Sequence, residues 1–518
     1  MAGLTRLPVE IHTLILSYLG TLDRKNLRLV STHLKDKTPL QITRVFLSAN
    51  SRNVEAFRAI ADHEPLRKGV TEIIWDDAVL PNRTYWMSRY PREFEPPFLI
   101  TLFIYFFPSL QSIYLLFREM EERVWPPLWF EEECSRNLMD SASRKDADPD
   151  TAEWERILEA HQPLPASYAY YRKLVKQQEE VLATGADIDA LTYGLARFPA
   201  LRRLTIAPAA HGLLHEPLYE TPMIRAFPDG FNYPIPRGWL TQRDQGASPA
   251  GHMPWEVKIV RRNWRGLSAV LRALAEQEHH VTELVIDVHG LCTGIPLSIF
   301  DDPACQEYQD LVALLRRPGF RRIDVALLAA HELLYQKTPF SDGRLRRVLC
   351  QGKDLEYVRL TTDLTPNLDC KGMRYRDSIP GYKVHLQRDL FPVEAWSKLQ
   401  HFGLAGFYVQ QEDLLSLLAA LPPSLRSVEL SSLRFIDGGS YRSLLCDVRD
   451  LLPWRGRPAG ERPRVAIAVG NGSEQRTVVD RVVCVEDEVY DFLYEDGPNP
   501  FGGEGDAAPG QLNRLAAH

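Results

Sequence analysis

The sequence predicts an α/β protein in which a short three-helix N-terminal module precedes an irregular α/β solenoid with inserted loops. Two observations carry that expectation. A six-residue apolar phrase recurs after residue 65, with helical stretches standing before most of its copies. Ahead of the first copy, the opening 40 residues carry the spacing of three short amphipathic helices. A chain of 518 residues can hold several cores, or one elongated array whose units pack on their neighbours. Its apolar content of 45% and charged content of 25% are those of a folded chain.

Leu7-Pro8-Val9-Glu10-Ile11 opens the first helix. Proline's fixed φ and missing N–H suit a first turn, and Glu10 lies where the helix dipole favours an anion. Leu7, Ile11, Leu14, Ile15, Tyr18 and Leu19 recur at steps of three and four, which predicts one inward stripe. Gly20 stops this helix. Asp23 is expected to cap a second over residues 24–30 and Ser31 a third over 32–37, before Pro39 forbids continuation. A bundle of roughly 35 residues is too small for a self-sufficient core, so part of its apolar surface is expected to need a partner. Val9 and Leu16, off the inward stripe, offer such a face.

The pattern Leu7-Pro8-x-Glu10-Ile11-x3-Ile15-Leu16-x2-Leu19-x3-Asp23-x3-Leu27-x2-Val30-Ser31-x2-Leu34 resembles the F-box motif. Its continuation through Ile42 to Ser48, Phe57 to Ala61 and Val70 to Asp77 is similar to many filamentous-fungal F-box proteins. The resemblance implies docking on Skp1, which links such chains through a cullin to a RING ubiquitin ligase. Carried over by position, it implies that Leu7, Pro8, Ile11, Ile15, Leu16, Leu19, Leu27, Val30 and Leu34 form the docking face and its support. Leu34 stands where the family often has tryptophan or phenylalanine. Read from periodicity alone, the same residues also fit a helical cap on the large domain.

The recurring phrase is Val70-x2-Ile73-x-Trp75, Leu110-x2-Ile113-x-Leu115, Leu201-x2-Leu204-x-Ile206, Val281-x2-Leu284-x-Ile286, Phe320-x2-Ile323-x-Val325, Leu355-x2-Val358-x-Leu360, Leu399-x2-Phe402-x-Leu404 and Leu425-x2-Val428-x-Leu430. Its last two apolar positions share one face of a short strand, and its first sits in the turn leading in. Helical stretches at 188–197, 267–278, 311–316 and 414–421 make helix-then-strand the unit. The phrase resembles that of leucine-rich repeats, which implies parallel strands with helices outside. Copies lie 26 to 91 residues apart, so the array is expected to be irregular, with degenerate repeats and inserted loops. Unrelated αβ units with common leucines are the alternative.

On this reading, residues 1–40 form the helical module and 41–65 a linker and first helical segment. Residues 66–460 form the body, with insertions at about 118–177 and 207–257 expected as partner-recognising rim loops or as covers over helices. Residues 461–494 read as paired strands closing the array, because 464–469 and 477–485 alternate around Gly470-Asn471-Gly472-Ser473. Residues 495–518, which lack apolar periodicity, are expected to be a disordered tail.

Other functions find little support. A net charge of -7 with only short basic runs excludes a phosphate-gripping field, so nucleic acid is not expected as a partner. The polar N-terminus lacks a secretion signal, which predicts an intracellular chain, cytoplasmic and/or nuclear. The apolar run 98–107 is too short to span a bilayer and reads as a buried helix; no membrane partner is expected. Seven scattered cysteines without a C-x-x-C pair read as reduced thiols. There is no G-x-S-x-G elbow, Walker loop or H-E-x-x-H helix. His211 and His215 are four apart, but Gly212 disfavours a helix there and no third ligand is evident, so no metal is expected. The Gly470 and Gly502 loops read as turn or tail, and the Asn82 and Asn471 sequons carry no meaning in a chain kept inside the cell.

These readings converge on a non-catalytic, cofactor-free adaptor of an SCF-type ubiquitin ligase, with Skp1 at one end and an unknown protein substrate on the body. A ligase-independent scaffold and an enzyme of unrecognised family are the alternatives.

Overall fold

The computed structural model describes residues 7–38, 40, 42–81, 126–145, 160–236, 238–240, 255, 258–289, 291–329, 340, 342–364, 384–436, 438–470 and 482–501. Three helices come first: α1 (Val9–Ser17), α2 (Thr21–Val30) and α3 (Thr32–Lys37). The body is then built on strands β1 (Arg44–Leu47), β2 (Glu72–Asp76), β3 (Arg203–Ala207), β4 (Glu283–Ile286), β5 (Ile295–Pro296), β6 (Arg322–Leu328) and β7 (Tyr357–Thr362). It continues with β8 (His401–Ala405), β9 (Tyr408–Gln410), β10 (Ser427–Ser431), β11 (Arg434–Ile436), β12 (Arg464–Gly470) and β13 (Val482–Val485). The main sheet runs β1-β2-β3-β4-β6-β7-β8-β10-β12-β13, so each strand on this path lies beside its predecessor in the chain. Its pairings are parallel except for the antiparallel β12–β13 pair.

The apolar phrase is the rung of this ladder. Val45, Ile73, Leu204, Leu284, Ile323, Val358, Phe402, Val428 and Val465 stand in one registered row across nine strands. Two residues on, Leu47, Trp75, Ile206 and Ile286 form a second row, which Val325, Leu360, Leu404 and Leu430 continue farther along. The leading residues Val70, Leu201, Val281, Phe320, Leu355, Leu399 and Leu425 are all buried. Seven copies thus fall on strands of one sheet; the eighth, Leu110 to Leu115, lies outside the described residues, as does the run 98–107.

Two rungs escaped the sequence reading. Ile42-x2-Val45-x-Leu47 fits the phrase but lies in the stretch read as linker, where β1 opens the sheet. In β12, Val465 and Ile467 are led by Arg462, whose charge hides the pattern.

Between strands come α4 (Ser51–Asp62), α5 (Glu64–Arg67), α6 (Leu128–Lys145), α7 (Leu164–Thr184), α8 (Ala186–Leu195), α9 (Lys258–Asn263), α10 (Arg265–Glu276) and α11 (Gln306–Leu315). Then follow α12 (Arg344–Leu349), α13 (Gln411–Ala420), α14 (Tyr441–Leu451) and α15 (Asp487–Tyr494). Phe57 of α4, Leu191 of α8, Leu271 of α10, Leu314 of α11 and Leu417 of α13 share one core with the apolar rows. The other sheet face is mixed: Arg44, Glu72, Arg203, Glu283 and Arg322 form one row on it, and Phe46, Ile74, Thr205 and Val285 the next.

The described parts of the insertions pack as covers. Residues 128–145 and 164–184 are helices, and their Trp129, Phe130, Tyr171 and Leu174 bury against Met223, Phe231 and Tyr233 of the second insertion. The Gln178 amide donates to the Leu80 carbonyl at 3.0 Å and accepts from the Leu80 N–H at 2.7 Å, tying α7 to the end of β2. Trp239 and Trp255 are buried too, their indole N–H groups donating to Asp77 at 2.7 Å and Glu307 at 2.8 Å. Aromatic side chains this large each gain about 2 to 3 kcal/mol from burial, which outweighs keeping them on display.

The first residues of the segment expected as a tail pack on the body. Phe501 stacks on Tyr441 at 5.2 Å, and Asn499 donates to the Arg442 carbonyl, so 495–501 follow the body; 502–518 lie outside the described residues.

Candidate functional site

The N-terminal helices are held mainly by polar caps. The Arg24 guanidinium of α2 donates to the carbonyls of Leu16 (2.6 Å) and Leu19 (3.1 Å) at the end of α1, where helical bonding runs out and the Leu16 carbonyl otherwise accepts only a 3.2 Å bond from the Leu19 N–H. Arg28 does the same for α3, donating to Lys35 at 2.8 Å and Thr38 at 2.6 Å. Ser31 caps α3 as expected, its hydroxyl accepting from the Leu34 N–H at 3.2 Å. Asp23 does not cap α2: that helix starts at Thr21 after Gly20, leaving Asp23 in the first turn where the dipole favours it.

These caps orient α1 differently from the predicted stripe. His12 and Leu16 are buried and Ile15 and Leu19 are half-buried, whereas Ile11, Leu14 and Tyr18 are 44, 53 and 82% exposed. The expectation that Ile11, Leu14 and Tyr18 face inward, with Leu16 outside, is therefore corrected. Arg24 pins the carbonyls of Leu16 and Leu19 toward α2 and so sets which side of α1 turns in. The side chain of Val9 lies outside those described.

Among the residues assigned to docking, Pro8, Ile11 and Val30 are exposed, and Leu7, Ile15, Leu19 and Leu27 are half-buried. Leu16 and Leu34 are buried. The exposed and the buried members of that assignment are thus distinct. Leu14, Tyr18 and Leu29 are exposed and missing from that assignment; Leu29 is 85% exposed. A signal existed in Leu29-Val30, since adjacent positions on a helix point about 100° apart and cannot both join one narrow core with Leu27. None of residues 7–38 belongs to the core cluster of the body.

Elsewhere, the described residues offer little for bond chemistry. His211 is buried, its Nδ1 2.9 Å from the Tyr233 hydroxyl, and burial pushes its pKa down to about 3. His215 lies instead beside His161, ring centroids 5.7 Å apart. No group of three or more metal-ligating side chains occurs among the described residues, and no described helix is long and apolar enough to cross a membrane.

No curated protein matches the chain. Compared with known families, residues 4–38 match the F-box domain, and that segment contains the three helices just described. Proteins with this domain are in general non-catalytic adaptors of Skp1-containing SCF ubiquitin ligases. The chain therefore carries an F-box domain at its N-terminal end, ahead of a large, mostly parallel α/β sheet.

Proposed function

We propose that the chain is the substrate-recognition adaptor of an SCF-type ubiquitin ligase. The N-terminal helices bind Skp1, and the body holds a protein substrate. The observation that carries this reading is the F-box at 4–38 with Ile11, Leu14, Tyr18, Leu29 and Val30 left exposed, while the core of the body closes without that segment. Such a protein works by proximity, raising the effective concentration of substrate lysines near a transferring enzyme, and needs no catalytic group. We further read the body as a leucine-rich-repeat-like solenoid. Strands that follow one another in chain order, each presenting the same L-x-x-L-x-L rung, support that reading. Residence in the cytoplasm, the nucleus or both goes with it.

The test is co-purification of the intact chain with Skp1 and a cullin. Both are retained by the unaltered chain and lost together in Leu7→Ala/Pro8→Ala. Failure of the intact chain to retain Skp1 overturns the proposal.

A further inference from the structure

The sheet face opposite the core carries a registered row of alternating charge. Arg44 of β1, Glu72 of β2, Arg203 of β3, Glu283 of β4 and Arg322 of β6 are successive partners across five strands. They are also paired through their side chains. Arg44 meets Glu72 at 2.8 Å, Arg203 meets Glu283 at 2.7 Å, and Arg322 meets Asp324 at 2.7 Å.

The two signs do not lie at the same height. The three guanidiniums are 59, 29 and 23% exposed, whereas Glu72, Glu283 and Asp324 are only 11, 8 and 10% exposed. In this row the carboxylates lie low against the sheet and the guanidiniums lie over them, so the row itself meets solvent with N–H donors; Asp287, just past the end of β4, is 32% exposed but is held by His289 at 2.8 Å. Each guanidinium has five donors in a planar fork, and the inner edge uses one or two. Arg322 Nε is buried and lacks a hydrogen-bond partner, and its guanidinium lies 3.7 Å over the Tyr357 ring, which fixes its plane. Arg44, Arg203 and Arg322 line one cavity of about 390 Å³, walled on one side by Tyr219 and His289.

The spacing of these forks selects the ligand. Alternate strands of a sheet stand about 9.5 Å apart. Three residues of extended chain cover about 10 Å, and one turn of polyproline II about 9.3 Å. The geometry points to a site on this face for an extended acidic segment of a partner protein, with carboxylates at every third residue meeting Arg44, Arg203 and Arg322. The inference rests on the adaptor reading and gives it a substrate class. The sunken carboxylates cancel most of the charge of the row, which suits singly charged groups spread along a chain better than one dense dianion or a phosphate backbone.

The probe is a set of fluorescent peptides of one length, titrated against the purified full-length chain without Skp1. One carries Glu at every third residue, one has the same residues with Glu clustered, and one has a single phosphoserine in place of the Glu residues. The spaced peptide binds most tightly, its affinity falls several-fold between about 50 and about 300 mM salt, and Arg44→Gln or Arg322→Gln each weakens it about tenfold. Arg44→Gln keeps a hydrogen-bond donor for Glu72, and Arg44→Lys, which keeps the charge and the pair with Glu72 but not the planar fork, separates lost binding from lost folding by weakening the peptide at an unchanged melting temperature. Equal binding of spaced and clustered peptides, preference for the phosphopeptide, or no binding overturns the inference. Skp1 retention, measured separately, is unchanged in Arg44→Gln; its absence in the unaltered chain counts against the adaptor reading and leaves the peptide result standing.

Discussion

Arg359 of β7 makes a two-point ion pair with Glu429 of β10 although β8 runs between them. Nε and Nη2 each lie 2.9 Å from a carboxylate oxygen. Gly403 is the β8 residue in register with both. A Cβ there would stand 2.7 Å from Arg359 Cγ, so the arginine stem occupies the space a side chain would take. Burial pulls the Arg359 pKa down, but Glu429 and Asp324 outweigh it and hold it above its ordinary value.

The glycine is therefore part of the pair. Gly403→Ala pushes the stem off the sheet and destabilises the protein by about 1 to 2 kcal/mol, the range for breaking a part-buried ionic contact plus local overpacking. Combined with Glu429→Gln, the loss is less than the sum of the singles, because the first change already removes what the second deletes. Denaturant unfolding of the two single variants and the double checks this; strict additivity refutes it.

Glu307 anchors the second insertion. Burial raises its pKa, but donors from Trp255, Arg261 and Ser268 outweigh burial and bring it down to about 2. A carboxyl depressed from 4.5 stabilises the fold above its ordinary value, and that contribution disappears as pH falls toward about 2. The stability gap between the unaltered chain and Glu307→Gln is on the order of 3 kcal/mol at neutral pH and narrows below about pH 4.5. Thermal melts across that range test it, and a pH-independent gap contradicts it.

Asp76 has the opposite sign. Burial pushes its pKa from 3.8 up to about 8, against one backbone N–H donated by Ala78 at 3.0 Å. Its neutral form suits the fold, so its contribution is complete below 3.8 and is lost as pH rises toward about 8. Asp76→Asn keeps an acceptor for Ala78 and cannot ionise. Its melting temperature is close to that of the unaltered chain near about pH 4 and exceeds it near about pH 8, by on the order of 5 kcal/mol in stability. An advantage that shrinks with rising pH would reject this account.

What the sequence made legible follows from what each signal depends on. A strand rung such as Leu355-x2-Val358-x-Leu360 is local, because alternation and one entering turn fix both burial and register, so seven such rungs were readable. Residues 464–469 were readable as a strand, but Val465 and Ile467 were not recognisable as a rung because Arg462, half-buried over the Tyr494 ring, stands at the leading position that an apolar residue takes elsewhere. The insertions stayed open between rim loops and covers because composition does not say what an aromatic packs on: Tyr233 and Tyr171 share one cluster although they stand about 60 residues apart in the chain. In the N-terminal module, the hydrophobic spacing allowed more than one inward stripe. The choice was made by Arg24, a charged residue eight positions after Leu16, which no apolar periodicity contains.

That choice separates stability from docking within the F-box segment. Leu34 is 3% exposed, so Leu34→Ala removes buried methyl groups and costs about 2 to 4 kcal/mol, enough to unfold so small a bundle. Ile11 and Val30 face solvent, and Ile11→Asp/Val30→Asp leaves the module folded. Loss of Skp1 retention is expected in both, for different reasons. Amide exchange over residues 9–37 accelerates in Leu34→Ala and stays as in the unaltered chain in Ile11→Asp/Val30→Asp. If Ile11→Asp/Val30→Asp retained Skp1 with normal exchange, the exposed side chains would be bystanders and the docking face would have to lie elsewhere on the helices.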